Sequence, residues 1–275
     1  MNEKNKNLVV RIASALVLLP LVLFLLVKGG YFSAGLMGWA AAVCAWEYYV
    51  ITQKKLSPIA VVGIALAGLF PLLPVWRPEQ LGTIAFWSTA GFFFLAWGYH
   101  LVRGPLHEAP VIVGHLVVGL LYGSLGMTAL SGLREGTHGF LWVLCALIVT
   151  WLNDTAAYFT GRAFGRHKLY PQVSPHKTWE GFFGGVAGSV GGLFAAKYLF
   201  FSELSVLDCL VVGLAGGVLG PAGDLCESMV KRAYDVKDSG RIIPGHGGLL
   251  DRIDALLFNA PMVYVYAHFI RSALG

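Results

Sequence analysis

Nine stretches of mostly apolar residues constrain what this chain can fold into. A helix needs about 20 such residues to cross the hydrocarbon core of a bilayer, so each stretch is a candidate membrane-spanning helix. The candidates are residues 8–27, 31–52, 59–76, 83–101, 110–130, 139–161, 182–201, 206–222 and 250–270. The sequence therefore predicts an all-α, polytopic integral membrane protein with about nine transmembrane helices.

The composition argues against an ordinary soluble domain. Of the 275 residues, 56% are hydrophobic and 13% are charged, whereas soluble domains carry about 25% charged residues. A soluble fold would leave a large apolar surface in water. The net charge of +5 does not indicate nucleic acid binding, because the basic residues follow a membrane topology.

The basic residues predict the orientation, since lysine and arginine concentrate in cytoplasmic loops. A cytoplasmic N-terminus and alternating sides place most of the 20 lysines and arginines in the cytoplasm. These are Lys4, Lys6, Arg11, Lys54, Lys55, Arg103, Arg162, Arg166, Lys168, Lys177, Lys231, Arg232, Lys237, Arg241 and Arg252. The first stretch is interpreted as an uncleaved helix rather than a secretory signal, because its apolar core is long.

Two long loops distinguish the second half of the chain. We divide the chain into N-terminal transmembrane helices, residues 1–138, and a second region, residues 139–275. The second region carries loops at 162–181 and 223–249, both on the cytoplasmic side of the predicted topology. Long connections in a compact domain are usually functional, so these loops are the first place to look for chemistry.

Carboxylates gather at these loops and at the adjoining helix ends. They are Asp154, Glu180, Asp224, Glu227, Asp238, Asp251 and Asp254. A carboxylate inside a span costs about 3 kcal/mol to insert, so each needs a role.

The second loop also holds Lys231, Arg232, Lys237 and a glycine-rich turn at 244–248. Carboxylates for Mg²⁺, with cations and glycine amides for phosphate, are typical of phosphoryl or nucleotidyl transfer. The alternative is a solvated loop of balanced charge.

Residue spacing brings some of these groups together. If 222–233 is helical, one helix face carries Asp224, Glu227, Ser228 and Lys231. Asp251 and Asp254 are three residues apart and share a face at the start of the last span.

Three polar residues lie nearer the membrane. Asn153 and Asp154, toward the cytoplasmic half of the sixth span, indicate the lining of a polar cavity. Glu47 joins that cavity, or its carboxylate reaches back to the membrane interface.

The first long loop has two interpretations. Ser174 or Thr178 caps the next helix, and Lys177 adds a cation for phosphate. The GxxxxGK spacing of a Walker A loop is absent. A simple capped helix start is the alternative.

In the seventh span, Gly184, Gly188 and Gly192 form a small-residue face, which packs within one subunit or at a dimer interface.

These motifs together resemble the phosphatidate cytidylyltransferase (CDP-diacylglycerol synthase) family. The longest run specifies Ser228, Lys231, Arg232, Lys237, Asp238, Gly240, Pro244, His246, Gly247, Gly248, Asp251, Arg252 and Asp254. Two shorter runs specify Asn153, Asp154, Ala157, Tyr158, Gly161 and Arg162, and then Ser174, Lys177, Thr178, Glu180 and Gly181. His176 stands where that family is expected to have lysine.

The resemblance implies transfer of CMP from CTP to phosphatidate, giving CDP-diacylglycerol and pyrophosphate, for phospholipid biosynthesis. It also implies Mg²⁺, an all-helical fold, a homodimer and the cytoplasmic face of a bacterial inner membrane. The bilayer, CTP and phosphatidate are then the partners, and a second, monovalent cation is left open.

We assign roles on that basis. The metal ligands are Asp224, Asp251 and Asp254. The other catalytic residues are Lys231, Arg232, Lys237, Asp238, His246 and Arg252. Substrate binding falls to Asn153, Asp154, Ser174, Lys177, Thr178, Glu227, Ser228, Gly247 and Gly248.

Two other functions stay open at this point. A CTP-dependent transferase acting on another membrane lipid would share these loops. A secondary transporter would also have many helices and buried carboxylates, but transporters tend to show internal repeats, and none is evident in this sequence.

Overall fold

Helices follow one another along the chain in the order that the apolar stretches predict. The structure, a computed structural model, describes residues 3–53, 55–243, 245 and 247–271, with side chains from residue 16. The helices are α1 (Glu3–Lys28), α2 (Gly30–Thr52), α3 (Pro58–Leu69), α4 (Leu73–Trp76), α5 (Leu81–Arg103), α6 (Ala109–Glu135), α7 (Gly139–Phe164), α8 (Trp179–Leu199), α9 (Val206–Ala233) and α10 (Leu250–Val265). Short 3₁₀ turns at Phe70–Leu72 and Pro78–Gln80 flank α4, and a π-turn at Tyr266–Ile270 follows α10.

Seven helical segments in the described part of the chain are long and apolar enough to cross a membrane. They are Pro58–Trp76, Pro78–Arg103, Ala109–Glu135, Gly139–Phe164, Trp179–Leu199, Val206–Ala233 and Leu250–Ile270. The chain is thus a mostly helical, multi-pass membrane protein, as predicted. The count of nine stays a prediction, because α2 is not among the seven and the part of α1 with described side chains, Leu16–Lys28, is a shorter apolar segment.

A small β-hairpin departs from the all-α prediction. Strands β1 (Lys168–Tyr170) and β2 (Ser174–Thr178) pair antiparallel, with Lys168 opposite Thr178 and Tyr170 opposite Ser174. Both strands lie inside the predicted loop 162–181. They are short and carry no alternation of apolar and polar residues, so the period-2 pattern that predicts a strand is missing.

The predicted span 206–222 and the start of the predicted loop 223–249 form one helix, α9. The conditional helix at 222–233 is therefore present, as the continuation of the span. A proline inside a helix usually ends or kinks it, and Pro221 lies inside α9. Pro221 has no amide hydrogen to donate to the carbonyl oxygen of Gly217, four residues earlier. The side-chain amide of Asn153 on α7 donates to that oxygen instead, at 3.1 Å. The backbone acceptor is therefore satisfied, and α9 continues through the proline to Ala233.

The described residues divide into two compact units. The first comprises Met1–Glu135 and Val236–Arg252, and the second comprises Gly136–Asp235 and Ile253–Gly275. The functional division at residues 138 and 139 stays a prediction.

In the first unit, small residues let α2 and α6 pack closely. A Cβ atom at Gly123 would lie 2.6 Å from the carbonyl oxygen of Ala41, so the two backbones meet without side chains at that point. The Tyr49 hydroxyl donates to the Leu116 carbonyl at 2.5 Å. This contact satisfies a buried polar group at the same seam.

In the second unit, the glycine face of α8 packs against α7. A Cβ atom at Gly188 would lie 2.7 Å from the Leu152 carbonyl oxygen, and one at Gly192 would lie 2.9 Å from an Ile148 methyl carbon. Of the two predicted uses of this face, the structure shows packing within one chain. The face is occupied and does not support a dimer interface.

The start of α9 and the residues that follow α10 are also joined inside the second unit. The Ser205 hydroxyl caps α9 by accepting from the Asp208 amide at 3.0 Å. The Asp208 carboxylate in turn accepts from the Ser205 amide, which completes a capping box. Tyr266 donates to Asp208 at 2.7 Å, and Arg271 lies 3.3 Å from the same carboxylate. This cluster stabilises the end opposite the hairpin along α9.

Candidate active site

A cavity of about 510 Å³ opens beside the hairpin in the second unit. Its wall is mixed, with aromatic groups such as Tyr158 and Phe182 next to charged ones. Its polar and charged lining residues, besides Tyr158, are Asn153, Asp154, Arg162, His176, Lys177, Thr178 and Asp224. A wall of both kinds is suited to a ligand that is partly apolar and partly anionic.

An ion pair spans the cavity lining. Lys177 Nζ lies 2.7 Å from Asp224 Oδ2, and the two side chains are 26% and 33% exposed. The Ser228 hydroxyl donates to the other oxygen, Asp224 Oδ1, at 3.3 Å. The sequence assigned Asp224 to a metal ion and Lys177 to a phosphate, and these two side chains are in contact.

The local sequence explains how Lys177 reaches the cavity. Strand β2 ends at Thr178, whose hydroxyl accepts from the Gly181 amide at 3.1 Å and caps α8. The predicted cap is therefore present at Thr178, and it fixes the turn next to Lys177. Gly181 allows α8 to start close to α7, because a Cβ atom there would lie 2.9 Å from the Ala157 carbonyl oxygen.

Two further carboxylates surround the ion pair. Asp154 on α7 and Asp254 on α10 each interact electrostatically with Asp224 and with Lys177. Three acidic groups thus share the field of a single lysine. Such an excess of negative charge favours a bound cation.

The donor set fits a magnesium ion by its chemistry. Mg²⁺ usually takes one or two carboxylates and completes its octahedron with water and substrate phosphate oxygens. Within the residues that the structure describes, no three His, Cys, Asp or Glu side chains are spaced to hold a metal ion together.

The predicted polar face of α9 is present. Glu227 and Lys231 form an ion pair of 2.5 Å one turn apart, with side chains only 2% and 12% exposed. Arg232, the next residue, is exposed. Because Lys231 is held by a buried carboxylate, its charge is fixed in place on the helix.

Asp251 lies in the first unit, at the start of α10. Its Oδ2 atom accepts from the Ser239 amide at 2.8 Å, the Ser239 hydroxyl at 3.0 Å and the Gly248 amide at 3.3 Å. These contacts orient the carboxylate and close the loop 236–252 on itself.

The glycine-rich turn is held by the same loop. Gly247 has φ +91°, which favours glycine, and it exchanges backbone hydrogen bonds with Ile243 at 3.0 and 3.1 Å. The Gly247 and Gly248 amides, predicted to cradle phosphate, donate to Ile243 and Asp251 in this structure. Phosphate binding by these amides stays a prediction.

Glu47 is the group whose position the sequence did not predict. It is fully buried and accepts from Ser239, Leu249 and Leu250 within the first unit. The carboxylate is buried, whereas a side chain that reaches back to the interface would be exposed, and the residues described as lining the cavity of the second unit do not include it. The available signal was the cost of a carboxylate in an apolar helix, which requires a partner, but sequence spacing does not identify a partner about 200 residues away.

The predicted residues thus fall into two groups. The second unit holds Asn153, Asp154, Ser174, Lys177, Thr178, Asp224, Glu227, Ser228, Lys231, Arg232 and Asp254. The first unit holds Lys237, Asp238, Gly247, Gly248, Asp251 and Arg252. Lys237, Asp238 and Arg252 are exposed. His246, like Pro244, lies outside the described residues.

Glu180, which the motif also specifies, stabilises the entry to the hairpin. Its carboxylate accepts from the Arg166 amide at 3.1 Å and the His167 amide at 3.3 Å, and lies 2.6 Å from His167 Nδ1. A smaller cavity of about 380 Å³ adjoins these residues. Because the Glu180 carboxylate is already engaged, we assign it to hairpin geometry rather than to the cavity beside Lys177.

The helices, the mixed cavity and the carboxylates around a lysine define a class, that of membrane-embedded enzymes acting on phosphate groups. The chain belongs to the cytidylyltransferase family, whose model matches residues 9–270. Membership makes it a nucleotidyltransferase and implies metal-dependent nucleotidyl transfer in general. It excludes the transporter alternative.

Several bacterial proteins are similar over nearly the whole chain. A phosphatidate cytidylyltransferase of Staphylococcus haemolyticus is 34% identical over 261 residues, covering 93% of this chain and 97% of that protein. One of Staphylococcus epidermidis is 32% identical over 256 residues, with the same coverage. One of Bacillus subtilis is 31% identical over 251 residues, covering 81% of this chain and 93% of that protein.

Proposed function

We propose that the protein transfers CMP from CTP to phosphatidate, giving CDP-diacylglycerol and pyrophosphate. The observation that carries this proposal is the cavity in which Lys177 and Asp224 meet, in a chain of the cytidylyltransferase family. The named relatives, matched over most of their length, support phosphatidate as the acceptor.

The reaction needs no nucleophile from the protein. An oxygen of the phosphatidate phosphate attacks the α-phosphorus of CTP, a new P–O bond forms, and the bond to the β-phosphate breaks to release pyrophosphate. The protein then has two tasks, which are to hold the two phosphates in line and to neutralise their charge. Repulsion between two anionic substrates makes the second task the larger one.

The chain's cations perform the neutralisation. Lys177 lines the cavity and meets an anion there in place of Asp224. Lys231, anchored by Glu227, supplies a fixed charge, and Arg232, Lys237 and Arg252 add exposed positive groups. Neutralisation by these last three is proposed from the sequence motif.

We propose Mg²⁺ as the metal, held by Asp224 and Asp254. When bound, it neutralises phosphate oxygens and orients the triphosphate. Asp154 adds negative charge close to this pair. Asp251 as a further ligand, and a second monovalent cation, are predictions from the motif.

We propose further that the N-terminus and the long loops are cytoplasmic, in a bacterial inner membrane. The clustering of lysine and arginine in alternate loops supports this orientation. A soluble triphosphate and a lipid phosphate also meet most simply at a membrane surface. A homodimer is proposed from the family resemblance alone, since the glycine face of α8 is used within the chain.

A product assay tests the reaction. Purified protein in detergent receives phosphatidate, radiolabelled CTP and Mg²⁺, with EDTA in a parallel sample, and unlabelled candidate lipids compete for the label. We expect labelled CDP-diacylglycerol that requires Mg²⁺ and is not suppressed by polyprenyl phosphates. Label transferred preferentially to another lipid would contradict the proposal and favour the alternative transferase.

A further inference from the structure

Glu47 lies fully buried in α2 and makes contacts that the proposed reaction does not explain directly. Its Oε1 atom accepts from the Leu249 amide at 3.1 Å, and Oε2 accepts from the Leu250 amide at 2.8 Å. The Ser239 hydroxyl lies 3.0 Å from Oε2. A carboxylate removed from water requires such donors, and each of its oxygens has at least one.

Two of these donors lie at the start of α10, at its first residue, Leu250, and at Leu249 just before it. Amides at a helix N-terminus have no partner within the helix, and the helix dipole favours a negative charge there. A side chain near the helix start normally supplies the cap. Here the cap comes from α2, about 200 residues earlier in the chain. The start of α10 is therefore attached to α2 as well as to its own loop.

Ser239 connects Glu47 to Asp251. Its hydroxyl lies 3.0 Å from Glu47 Oε2 and 3.0 Å from Asp251 Oδ2. A hydroxyl has one proton to donate, so the two carboxylates share it. The Ser239 oxygen also accepts from the Asp251 amide at 3.3 Å. Each end of this chain of contacts therefore depends on the position of the other.

Two glycines of the loop leave room for the Glu47 side chain. A Cβ atom at Gly240 would lie 2.9 Å from Glu47 Cδ, and one at Gly248 would lie 2.9 Å from Glu47 Oε1. Any larger residue would displace the carboxylate. The glycines of the motif are thus explained in part by a buried carboxylate, independently of any phosphate contact.

We propose that Glu47 is a positioning residue, which acts through Ser239 to hold the Asp251 carboxylate and the loop 236–252 in the orientation that turnover requires. The inference rests on the proposed function for the reaction that it serves. Glu47 itself is fully buried. Its replacement is expected to change the rate of turnover and the order of the loop.

The test compares Glu47→Gln, Ser239→Ala and the double variant in full-length protein. Glu135→Gln is the matched control, because Glu135 also accepts from a backbone amide in the first unit, that of Gly30, but lies outside the loop. The product assay gives kcat and KM for each variant. Mass spectrometry measures hydrogen exchange of the loop amides.

We expect Glu47→Gln to lower kcat about 10- to 100-fold, the usual effect of losing a support behind a functional group, with little change in KM. Exchange should increase at residues 236–252 and not elsewhere in the first unit. The double variant should be no worse than the more damaging single one, because both act through one chain of contacts. Ser239→Ala removes no buried charge, so it tests the same link if Glu47→Gln fails to fold.

A wild-type kcat in folded Glu47→Gln or Ser239→Ala protein would overturn the inference. So would increased exchange spread over the whole first unit with a lowered Tm, which would indicate general destabilisation. If wild-type protein itself makes no CDP-diacylglycerol, the proposed function fails instead, and the exchange measurement still reports whether Glu47 orders the loop.

Discussion

Lys177 and Asp224 show how a single pair of residues can serve two states of a site. Their ion pair is 2.7 Å long, but the two side chains are 26% and 33% exposed. Exposed pairs of this kind stabilise a protein by only about 0 to 1 kcal/mol, because water screens the charges. We propose that Lys177 leaves Asp224 for a substrate phosphate, which frees the carboxylate for a cation.

Replacing Lys177 with methionine should lower kcat/KM without unfolding the protein. A hydrogen bond to a charged group contributes about 1.5 to 3 kcal/mol, so the expected loss is about 10- to 100-fold. Lys168→Met is the control, since Lys168 is an exposed residue of the same hairpin. Equal losses in the two variants, measured with CTP and phosphatidate varied separately, would show that the hairpin contributes only general positive charge.

Glu47 marks the limit of sequence reasoning at this scale. Its residue type shows that a partner is needed, and spacing within a helix identifies partners three or four residues away. The pair Glu227 and Lys231 is of that kind and follows from the sequence. The partners of Glu47 depend on how the chain returns to α2, which no local pattern contains.

At the scale of helices and strands, hydropathy was sufficient for order and approximate length. Each predicted stretch is helical, although 59–76 is divided into α3, a 3₁₀ turn and α4, and 250–270 ends in a π-turn. Burying apolar residues in lipid and satisfying the backbone leave few alternatives to a helix. The hairpin was missed, since its strands have three and five residues. The continuation of α9 beyond residue 222 was predicted only conditionally, as a helix at 222–233, because the apolar run ends there. The contact between Asn153 and the Gly217 carbonyl, which accommodates Pro221, joins two helices and is not visible in the sequence.

The link between Asn153 and Pro221 can be tested with a double-mutant cycle. Asn153→Leu removes the donor to the Gly217 carbonyl, so it should destabilise the protein by about 1 to 3 kcal/mol. In a Pro221→Ala background the cost should be smaller, because alanine restores a backbone amide at that position. Thermal unfolding in detergent measures both.

Asn259→Leu provides the control for this cycle. Asn259 is as deeply buried as Asn153 and donates to Thr150 at 2.9 Å, a bond that does not involve the Gly217 carbonyl. Its cost should be the same with proline or alanine at position 221. An Asn153→Leu cost that is unchanged by Pro221→Ala would show that the carbonyl is satisfied in another way.

At the scale of the whole molecule, the chain leaves the second unit after Asp235 and returns to it at Ile253. The loop 236–252 is grouped with α2 and α6, and the residues on either side of it belong to the second unit. Helix α10 therefore begins in one unit with Asp251 and continues in the other with Asp254. The sequence predicted that both carboxylates share a helix, but it did not predict that different parts of the chain support them.

The central claim is that carboxylates around Lys177 carry out nucleotidyl transfer. The most direct test is turnover by Asp224→Asn protein beside Asp235→Asn, an exposed position with φ +54° that asparagine accommodates readily. With both variants folded and inserted, we expect Asp224→Asn to lose on the order of 100-fold in turnover and Asp235→Asn to match wild type. Wild-type turnover by Asp224→Asn would contradict the account.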